Sequence, residues 1–464
     1  MLAVAHREVI GAAADRAPFA DTARRWGLPL CVLLALALRL AALFLVGHPE
    51  MLRGHLSLSS DEPSFHETAQ ALATTGRYSR RPDGPPTAFR PPGLILPLAA
   101  LYYVVRPTPY VGVAYVLLGS LAIVMMVYHV TFATCADRRV ALMAALLAAV
   151  SPTLVFTASG IWSEPQAIVL TLLLLWWLIL GRTDPGSWGL LGLCAAIAYL
   201  TRPSAAFLFP VLISAALLSG RGWRRVLNAV VLVSVLTLPI GFWALRNRLT
   251  FGDYIVGGAV AGEALWGSNN PVTAGISLPA KQFRDGFDLY AESRENRYLG
   301  SWVPMDYIPG WAEAVPAGSS ELAVYHHQVE STIAFIKSAP RSWVRLLGYK
   351  LARLLTVESY APSITGDVGV RRIIHRAVTQ IEFWFIVAWG FAGVWHLVSS
   401  GSRAGYLYLF FAAAGLANVL VTYANPRFLL PLTSILIPPA ALAITRALDG
   451  WRAVGVQTPR SALA

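Results

Sequence analysis

The 464-residue chain is 56% hydrophobic and only 13% charged, with a mean hydropathy of +0.56. The length alone would allow two to four soluble domains, but this composition excludes an ordinary soluble protein. A formal net charge of +12 raises nucleic acid as a partner, yet the arginines are scattered through loops between apolar runs, where they anchor topology and meet lipid or phosphate, so no nucleic acid is expected.

Taken in order, residues 1–27 are polar and mixed in charge and read as a cytoplasmic N-terminal segment ahead of an uncleaved first span. Apolar runs that cross a bilayer, or nearly so, lie at 28–47, 111–132, 140–155, 167–180, 188–200, 205–218, 226–245, 384–398, 405–421 and 428–444. Two more, 94–105 after a pair of prolines and 343–357 with Arg345, Lys350 and Arg353, suit helices lying in the interface. With residues 48–110 kept outside, Asp137-Arg138-Arg139, Arg182, Arg221, Arg224, Arg225, Arg446 and Arg452 all fall inside, and the alternation closes. The expected divisions are a seven-span module at 28–245 with its outer loop at 48–110, a large outer loop at 246–379 with interfacial helices, a three-span segment at 380–446 and a cytoplasmic tail at 447–464. The three cysteines, Cys31, Cys135 and Cys194, have neither metal-ligand spacing nor a disulfide framework.

The first outer loop supplies acids, a cation and rigid turns within a short length. It opens with Ser59-Ser60-Asp61-Glu62, continues through Phe65, Ala69 and Leu72 to Gly76-Arg77-Tyr78, and closes with Thr87-Ala88-Phe89-Arg90-Pro91-Pro92-Gly93. Ser59 and Glu62 have capping-box spacing, and acids in a first helical turn are favoured by the helix dipole, so Asp61 and Glu62 have a structural reading beside a chemical one. Glu164, in Ser163-Glu164-Pro165, reads either as a helix start or as an acid facing Asp61 across the bundle. Four arginines fall at outer ends of spans: Arg90 ahead of Pro91-Pro92, Arg202 in Thr201-Arg202-Pro203, Arg246 with Arg248 as a substitute, and Arg427 in Asn425-Pro426-Arg427. Cations there run against the inside bias; snorkelling to headgroups accounts for them, and so does a phosphate gripped by their planar forks. Glu62 and His66 share a helix face and leave a divalent ion open, with no cofactor otherwise expected. Tyr78 reads first as a packing aromatic.

The acidic pair opening a short helix after the first span, Gly-Arg-Tyr some residues on and Arg-Pro-Pro-Gly closing the loop resemble the polyprenyl-phosphate-sugar-dependent glycosyltransferases of the protein O-mannosyltransferase and lipid A aminoarabinose transferase kind (glycosyltransferase family 39-like). The likeness covers roughly the first half of the chain and returns weakly near the C-terminus. It implies an all-α polytopic GT-C fold, here with about ten transmembrane helices, in a bacterial inner or plasma membrane with the active site facing the periplasm or exterior. The implied activity is inverting transfer of a hexosyl or pentosyl unit from a polyprenyl-phosphate carrier to a hydroxyl of a protein, glycan or lipid, without a metal. Asp61 would be the base, with Glu164 assisting, Glu62 and Tyr78 beside the substrate, and Arg90, Arg202, Arg246 and Arg427 around the phosphate; the Thr-Arg-Pro position puts Arg202 foremost. A free aspartate has a pKa near ~3.9, and partial desolvation at the membrane face is expected to make Asp61 more basic. A polyprenyl-lipid or sugar transporter, and a non-catalytic lipid-binding member of the fold, are the competing readings.

Overall fold

The computed structural model describes residues 18–53, 56, 58, 61–270, 320–354, 370–423 and 426–456. Among them every regular element is helical, apart from one isolated β-bridge between Ser79 and Pro86. Helix α1 (Pro18–Ala42) runs on through a π turn, Leu43–Gly47, and the following loop carries α2 (Glu62–Thr75) and α3 (Pro92–Val104). The bundle continues with α4 (Pro109–Cys135), α5 (Arg138–Val150), the short α6 (Pro152–Phe156), α7 (Glu164–Leu180), α8 (Pro185–Thr201), α9 (Phe209–Leu218) and α10 (Trp223–Phe251). Next come α11 (Val260–Ser268), α12 (Glu321–Ser338) and α13 (Pro340–Leu354), then the long α14 (Val370–Ser399), α15 (Arg403–Val421) and α16 (Pro426–Val456). Six described stretches are long and apolar enough to cross a membrane, and α3, α7, α8 and Pro203–Leu218 are shorter apolar helices. All ten apolar runs fall on helical segments, 140–155 and 205–218 each on two, which bears out an all-α polytopic chain.

Composition explains the packing. Helix α5 turns a stripe of alanines inward, Ala141, Ala144, Ala145, Ala148 and Ala149, all fully buried, and packs against α1, α4 and α16. Small residues let helix backbones approach closely where lipid supplies no hydrophobic push between helices.

The run 140–155, expected as one span, is broken after Val150. Pro152 has no N–H to continue the ladder, so the carbonyls at the end of α5 need other donors. Arg39, fully buried on α1, supplies them: its Nη1 donates to Ala149 O at 3.2 Å, its Nη2 to Ala148 O at 3.4 Å, and its Nε to Ser120 Oγ at 2.7 Å. On the other side of the break the Glu382 carboxylate accepts from Thr153 N at 3.0 Å and from the hydroxyls of Ser151 and Thr153. A cation on the carbonyl end and an anion on the amide end match the two helix dipoles. Past the break the chain runs from α6 through residues 157–163 to the start of α7.

Helix α3 does not span. At its start, Gly93 lies against the end of α8, and at its far end Tyr102 touches Gly112 at the start of α4 and donates or accepts a 2.7 Å hydrogen bond with His66 of α2. Those contacts belong to one end of the bundle, and 13 residues reach only about 20 Å against a hydrocarbon core of about 30 Å. Helix α13 sits at the same end: its buried Lys350 donates from Nζ to Leu420 O and Thr422 O, both at 2.8 Å, and to Asn269 Oδ1 at 3.1 Å, capping α15.

A Cβ on Gly93 would lie 2.3 Å from the Thr201 amide nitrogen and 2.5 Å from Leu200 O, both backbone atoms that cannot swing aside. Gly93→Ala should therefore cost about 1–3 kcal/mol and lower the thermal unfolding midpoint in detergent micelles. Gly241→Ala, with open space around its Cβ on α10, should leave that midpoint unchanged or raise it.

Candidate active site

The end of the bundle that carries α2 and α3 collects three guanidiniums and two carboxylates. Asp61, just ahead of α2, makes no capping bond with its side chain. Its Oδ1 instead pairs with Arg90 Nη2 at 2.7 Å, and its Oδ2 with Arg427 Nη1 at 2.7 Å. Glu164 opens α7, and its Oε1 receives both Arg202 Nη1 at 2.7 Å and Arg427 Nε. Arg427, in the first turn of α16, thus bridges the two acids with adjacent edges of one planar fork. Both acids do stand at helix starts, Asp61 just ahead of α2 and Glu164 in the first turn of α7, and both side chains are also held by arginines from distant segments. The expected Ser59 cap lies outside the described residues.

Each arginine is aimed by its neighbours. Arg90 precedes two prolines that fix the backbone direction; its Nε donates to Ser64 Oγ at 3.1 Å, and its guanidinium lies over Phe65 and Phe89 at 4.7 and 5.1 Å. Arg202 follows α8 in extended conformation before Pro203, donates to Ser163 Oγ at 3.2 Å and lies 5.1 Å over Phe428. Arg427 lies 4.5 Å over Trp162. Stacking on aromatic faces holds a guanidinium in place without consuming its donors.

Three cations against two anions leave one net positive charge at this point, a field suited to an anionic ligand. Asp61 is 29% exposed and Glu164 2%, so the cluster runs from the surface inward. It continues as a cavity lined by Glu164, Ala167, Ile168, Arg202, Asn418 and Arg427. The second carboxylate oxygen of Glu164 is buried there without a hydrogen-bond partner. Burial alone would raise the Asp61 carboxyl, but Arg90 and Arg427 beside it prevail and hold it well below the usual carboxylate range. This reverses the expected gain in basicity: the guanidiniums outweigh desolvation.

Other expected site residues have different partners. Glu62 is buried, and its Oε1 accepts from Ile161 N at 2.9 Å and pairs with His48 Nε2 at 3.2 Å; it pins the 159–161 turn and is not turned toward the arginines. Arg246 is not brought into the cluster either. Its Nη1 donates to Thr87 O at 2.8 Å and its Nη2 to Tyr78 O at 3.2 Å, so it staples the first loop between residues 78 and 87. Arg248 bonds the Gly252 carbonyl at the end of α10. Tyr78 packs on Trp243, and its hydroxyl donates to Arg90 O at 2.9 Å, which makes it a support for Arg90. His66 bonds Tyr102, and among the described residues no group of three His, Cys, Asp or Glu side chains converges as a metal site. Sequence reasoning missed His48, which bridges Glu50 and Glu62, and Glu263, a lone acid in an apolar segment just after a span, a pattern that by itself deserved notice.

No protein-family model and no curated protein sequence matches the chain. Among solved structures it resembles the archaeal oligosaccharyltransferase AglB from Archaeoglobus fulgidus in complex with an inhibitory peptide and a dolichol-phosphate, at 15% identity and a TM-score of 0.52 over 97% of this chain and 53% of that one. It also resembles the apo form of the Archaeoglobus fulgidus oligosaccharyltransferase, at 14% identity and a TM-score of 0.54 over 95% and 53%, and the same enzyme tethered to an acceptor peptide containing the NVT sequon, at 14% and 0.54 over 96% and 53%. The chain spans about half the length of that enzyme. Likeness at this level establishes the fold, and the fold is the GT-C fold that the sequence resemblance implied.

Arg427→Ala leaves two carboxylates short of a partner and should destabilise the protein by about 3 kcal/mol, the lower end for breaking a buried pair, read as a fall in the thermal midpoint. The pH dependence follows from the depressed Asp61 carboxyl. In the wild type its contribution to stability is complete above about pH 3.9 and is lost only as pH falls toward the lower folded value. In Arg427→Ala the folded value lies nearer the unfolded one, so the contribution should be smaller and should be used up at a higher pH, which acid-unfolding curves of the two proteins would reveal.

Proposed function

We propose that this protein is a membrane glycosyltransferase that takes a monosaccharide from a polyprenyl-phosphate carrier and transfers it to an acceptor hydroxyl. The observation that carries this reading is the bridging of Asp61 and Glu164 by Arg427, with Arg90 and Arg202 on either side. Guanidiniums that now hold carboxylates can hold phosphate oxygens with the same fork geometry. The dolichol-phosphate bound to the fold neighbour supports a lipid phosphate as the ligand class.

In the proposed reaction the acceptor oxygen bonds to the anomeric carbon while the bond from that carbon to the phosphate oxygen breaks, its electron pair leaving with the phosphate. Arg202, Arg427 and Arg90 meet the charge that develops there, without need of a metal. Asp61, the most exposed of the two acids, takes the acceptor proton. In the free protein it is a poor base; a donor phosphate that draws Arg90 and Arg427 away removes the two cations that hold its carboxyl down and restores its basicity. The free oxygen of Glu164 is available to a sugar hydroxyl. Attack from the face opposite the phosphate inverts the anomeric centre.

Charge supports the sidedness of this reading. Arg138, Arg139, Arg182, Arg221, Arg224, Arg225, Arg403 and Arg446 lie in or beside the turns at the end of the bundle away from the cluster, which favours that end inside and the site on the outer face. A transporter would be expected to leave polar groups free along a path between the helices; the buried Arg39 and Glu382 are instead bonded to the helix break.

Transfer of labelled sugar from a polyprenyl-phosphate donor in membranes should fall by about 10²–10⁴-fold in Asp61→Asn, while undecaprenyl phosphate still binds; a normal rate would remove Asp61 from the role. Arg202→Ala should instead weaken undecaprenyl phosphate binding by roughly ten-fold or more, the scale of one lost charge-assisted hydrogen bond, and leave acceptor affinity unchanged. In Arg138→Cys a membrane-impermeant thiol reagent added outside should leave the new cysteine unlabelled, since labelling there would reverse the orientation.

A further inference from the structure

Only half of the Glu164 carboxylate is used within the cluster. Its Oε1 takes both guanidiniums, while Oε2 is buried with no hydrogen-bond partner among the described residues, on a side chain 2% exposed. Glu164 lines the cavity where α7, α15 and α16 meet. Ala167 and Ile168, three and four positions further along α7, share its helix face and line the same space. Across from them stands Phe428 of α16, its ring centroid 5.2 Å from that of Tyr423 and its face 5.1 Å from the Arg202 guanidinium. Two more polar groups complete the wall. Asn418, buried in the last turn of α15, makes no hydrogen bond from Nδ2, and Ser204, in the turn after Arg202, makes none from its hydroxyl, among the described residues.

These walls define the occupant. A carboxylate oxygen buried without a donor is costly, and a polyprenyl tail, which donates nothing, leaves it so. An ammonium would donate, but Arg202 and Arg427 line the same cavity and repel it. A phosphate would suit the arginines and be repelled by Glu164. The space beside these groups is about that of a single water molecule, too small for an acetamido group. What remains is a neutral group of that size that donates to Glu164 and accepts from Asn418, and a hydroxyl does both. A phosphate drawing the arginines off Glu164 does not undo this, because they leave Oε1, and Oε2 has no partner to lose.

We propose that this cavity is a specificity pocket for one hydroxyl of the donor's sugar: Glu164 Oε2 accepts a hydrogen bond from it, Asn418 Nδ2 donates one to it, and Ser204 is a second polar contact beside it. The inference rests on the transfer reading above and adds the class of sugar, one with a free hydroxyl directed inward where an amino or acetamido sugar would carry its nitrogen. Arg427 holds Asp61 and Glu164 with one fork, so the two acids stand about a guanidinium's width apart. The sugar then lies with one hydroxyl on the buried acid and its anomeric carbon toward the exposed one. Phe428 and the fully buried Ile168 give its C–H face an apolar wall. Selection is sharp in such a pocket, since an analogue lacking the hydroxyl leaves a buried carboxylate oxygen unpaired.

The test uses the full chain in lipid nanodiscs and the displacement of radiolabelled undecaprenyl phosphate. The competitors are undecaprenyl phosphate itself, its mannosyl, glucosyl and arabinosyl conjugates, and the monodeoxy, monofluoro and monoamino analogues of whichever conjugate binds tightest. In the wild type, deletion of one particular hydroxyl should weaken binding by about ten-fold or more, the scale of a hydrogen bond to a charged group, and the other deletions should cost much less. Fluorine there, which cannot donate, and an amino group, which is repelled, should both fail to restore it. In Asn418→Leu and in Ser204→Ala undecaprenyl phosphate should bind as in the wild type while the conjugate loses most of its advantage, and in Asn418→Leu the sensitive deletion should cost less. Deletions that cost the same at every position, or nothing at any, would overturn the pocket and leave a space filled by water; an amino group that restores binding would overturn the class of sugar. The wild-type series decides this without any variant. Undecaprenyl phosphate that does not bind would remove the donor reading and the pocket with it, whereas transfer from a conjugate whose deoxy analogues all bind alike would remove the pocket alone.

Discussion

Arg427 is the residue on which the site end of this bundle depends. Its guanidinium reaches Asp61, 366 positions away in sequence, and Glu164, 263 positions away, and so joins the loop after the first span, the start of α7 and the start of α16 at one point. Charges this sheltered are costly unless all are paired, and removing one leaves the others uncompensated. The five side chains therefore assemble together. Packing of apolar helices against one another is permissive about small slides and rotations; an ion cluster with a planar fork at its centre is not. It sets the register in which the ends of α2, α7, α8 and α16 meet.

The remaining charged groups near the site divide by what they bind. Arg39, Lys350, Arg246 and Glu382 are spent on backbone carbonyls or amides: at the break between α5 and α6, at the end of α15 and along residues 78–87. Glu62 belongs with them, since it holds the Ile161 amide and so the turn that leads to Glu164. A charge bonded to backbone cannot leave without unravelling a helix end, which makes it part of the scaffold. Arg90, Arg202 and Arg427 are bonded to other side chains. Those partners can be exchanged for a ligand at no cost to the backbone, and this distinguishes a binding cation from a structural one more sharply than position along the chain does.

The same distinction marks what was legible in the sequence. Asp61, Glu164, Arg90, Arg202 and Arg427 stood out because a charge at the outer end of an apolar run is costly and conspicuous, and Pro165 beside Glu164 marked a helix start. Arg246 looked identical to Arg427 by that criterion; only the fold decides that one meets carbonyls and the other carboxylates. The Asp61 carboxyl was misjudged in sign because desolvation could be anticipated from its place at the membrane face, while two guanidiniums arriving from residues 90 and 427 could not be weighed before their distances were known. The break inside residues 140–155 was signalled by Pro152 but hidden by unbroken hydrophobicity on both sides.

An acid tied to two arginines looks badly suited to take a proton, and the arrangement becomes intelligible only when the ligand is counted as one of the charges. In the free protein the carboxylates serve as counter-ions, neutralising guanidiniums that would otherwise be buried unpaired. A lipid phosphate entering among them replaces those counter-ions, and part of its binding energy goes into separating the existing pairs. What that energy leaves behind is a carboxylate freed from its cations at the moment the leaving group arrives. Basicity is then conditional on donor occupancy: without a donor, Asp61 stays ionised and inert, and with one its proton affinity rises. Coupling of this kind needs no moving domain, because exchange of partners around one fork of five N–H donors is enough to connect binding with the readiness to react.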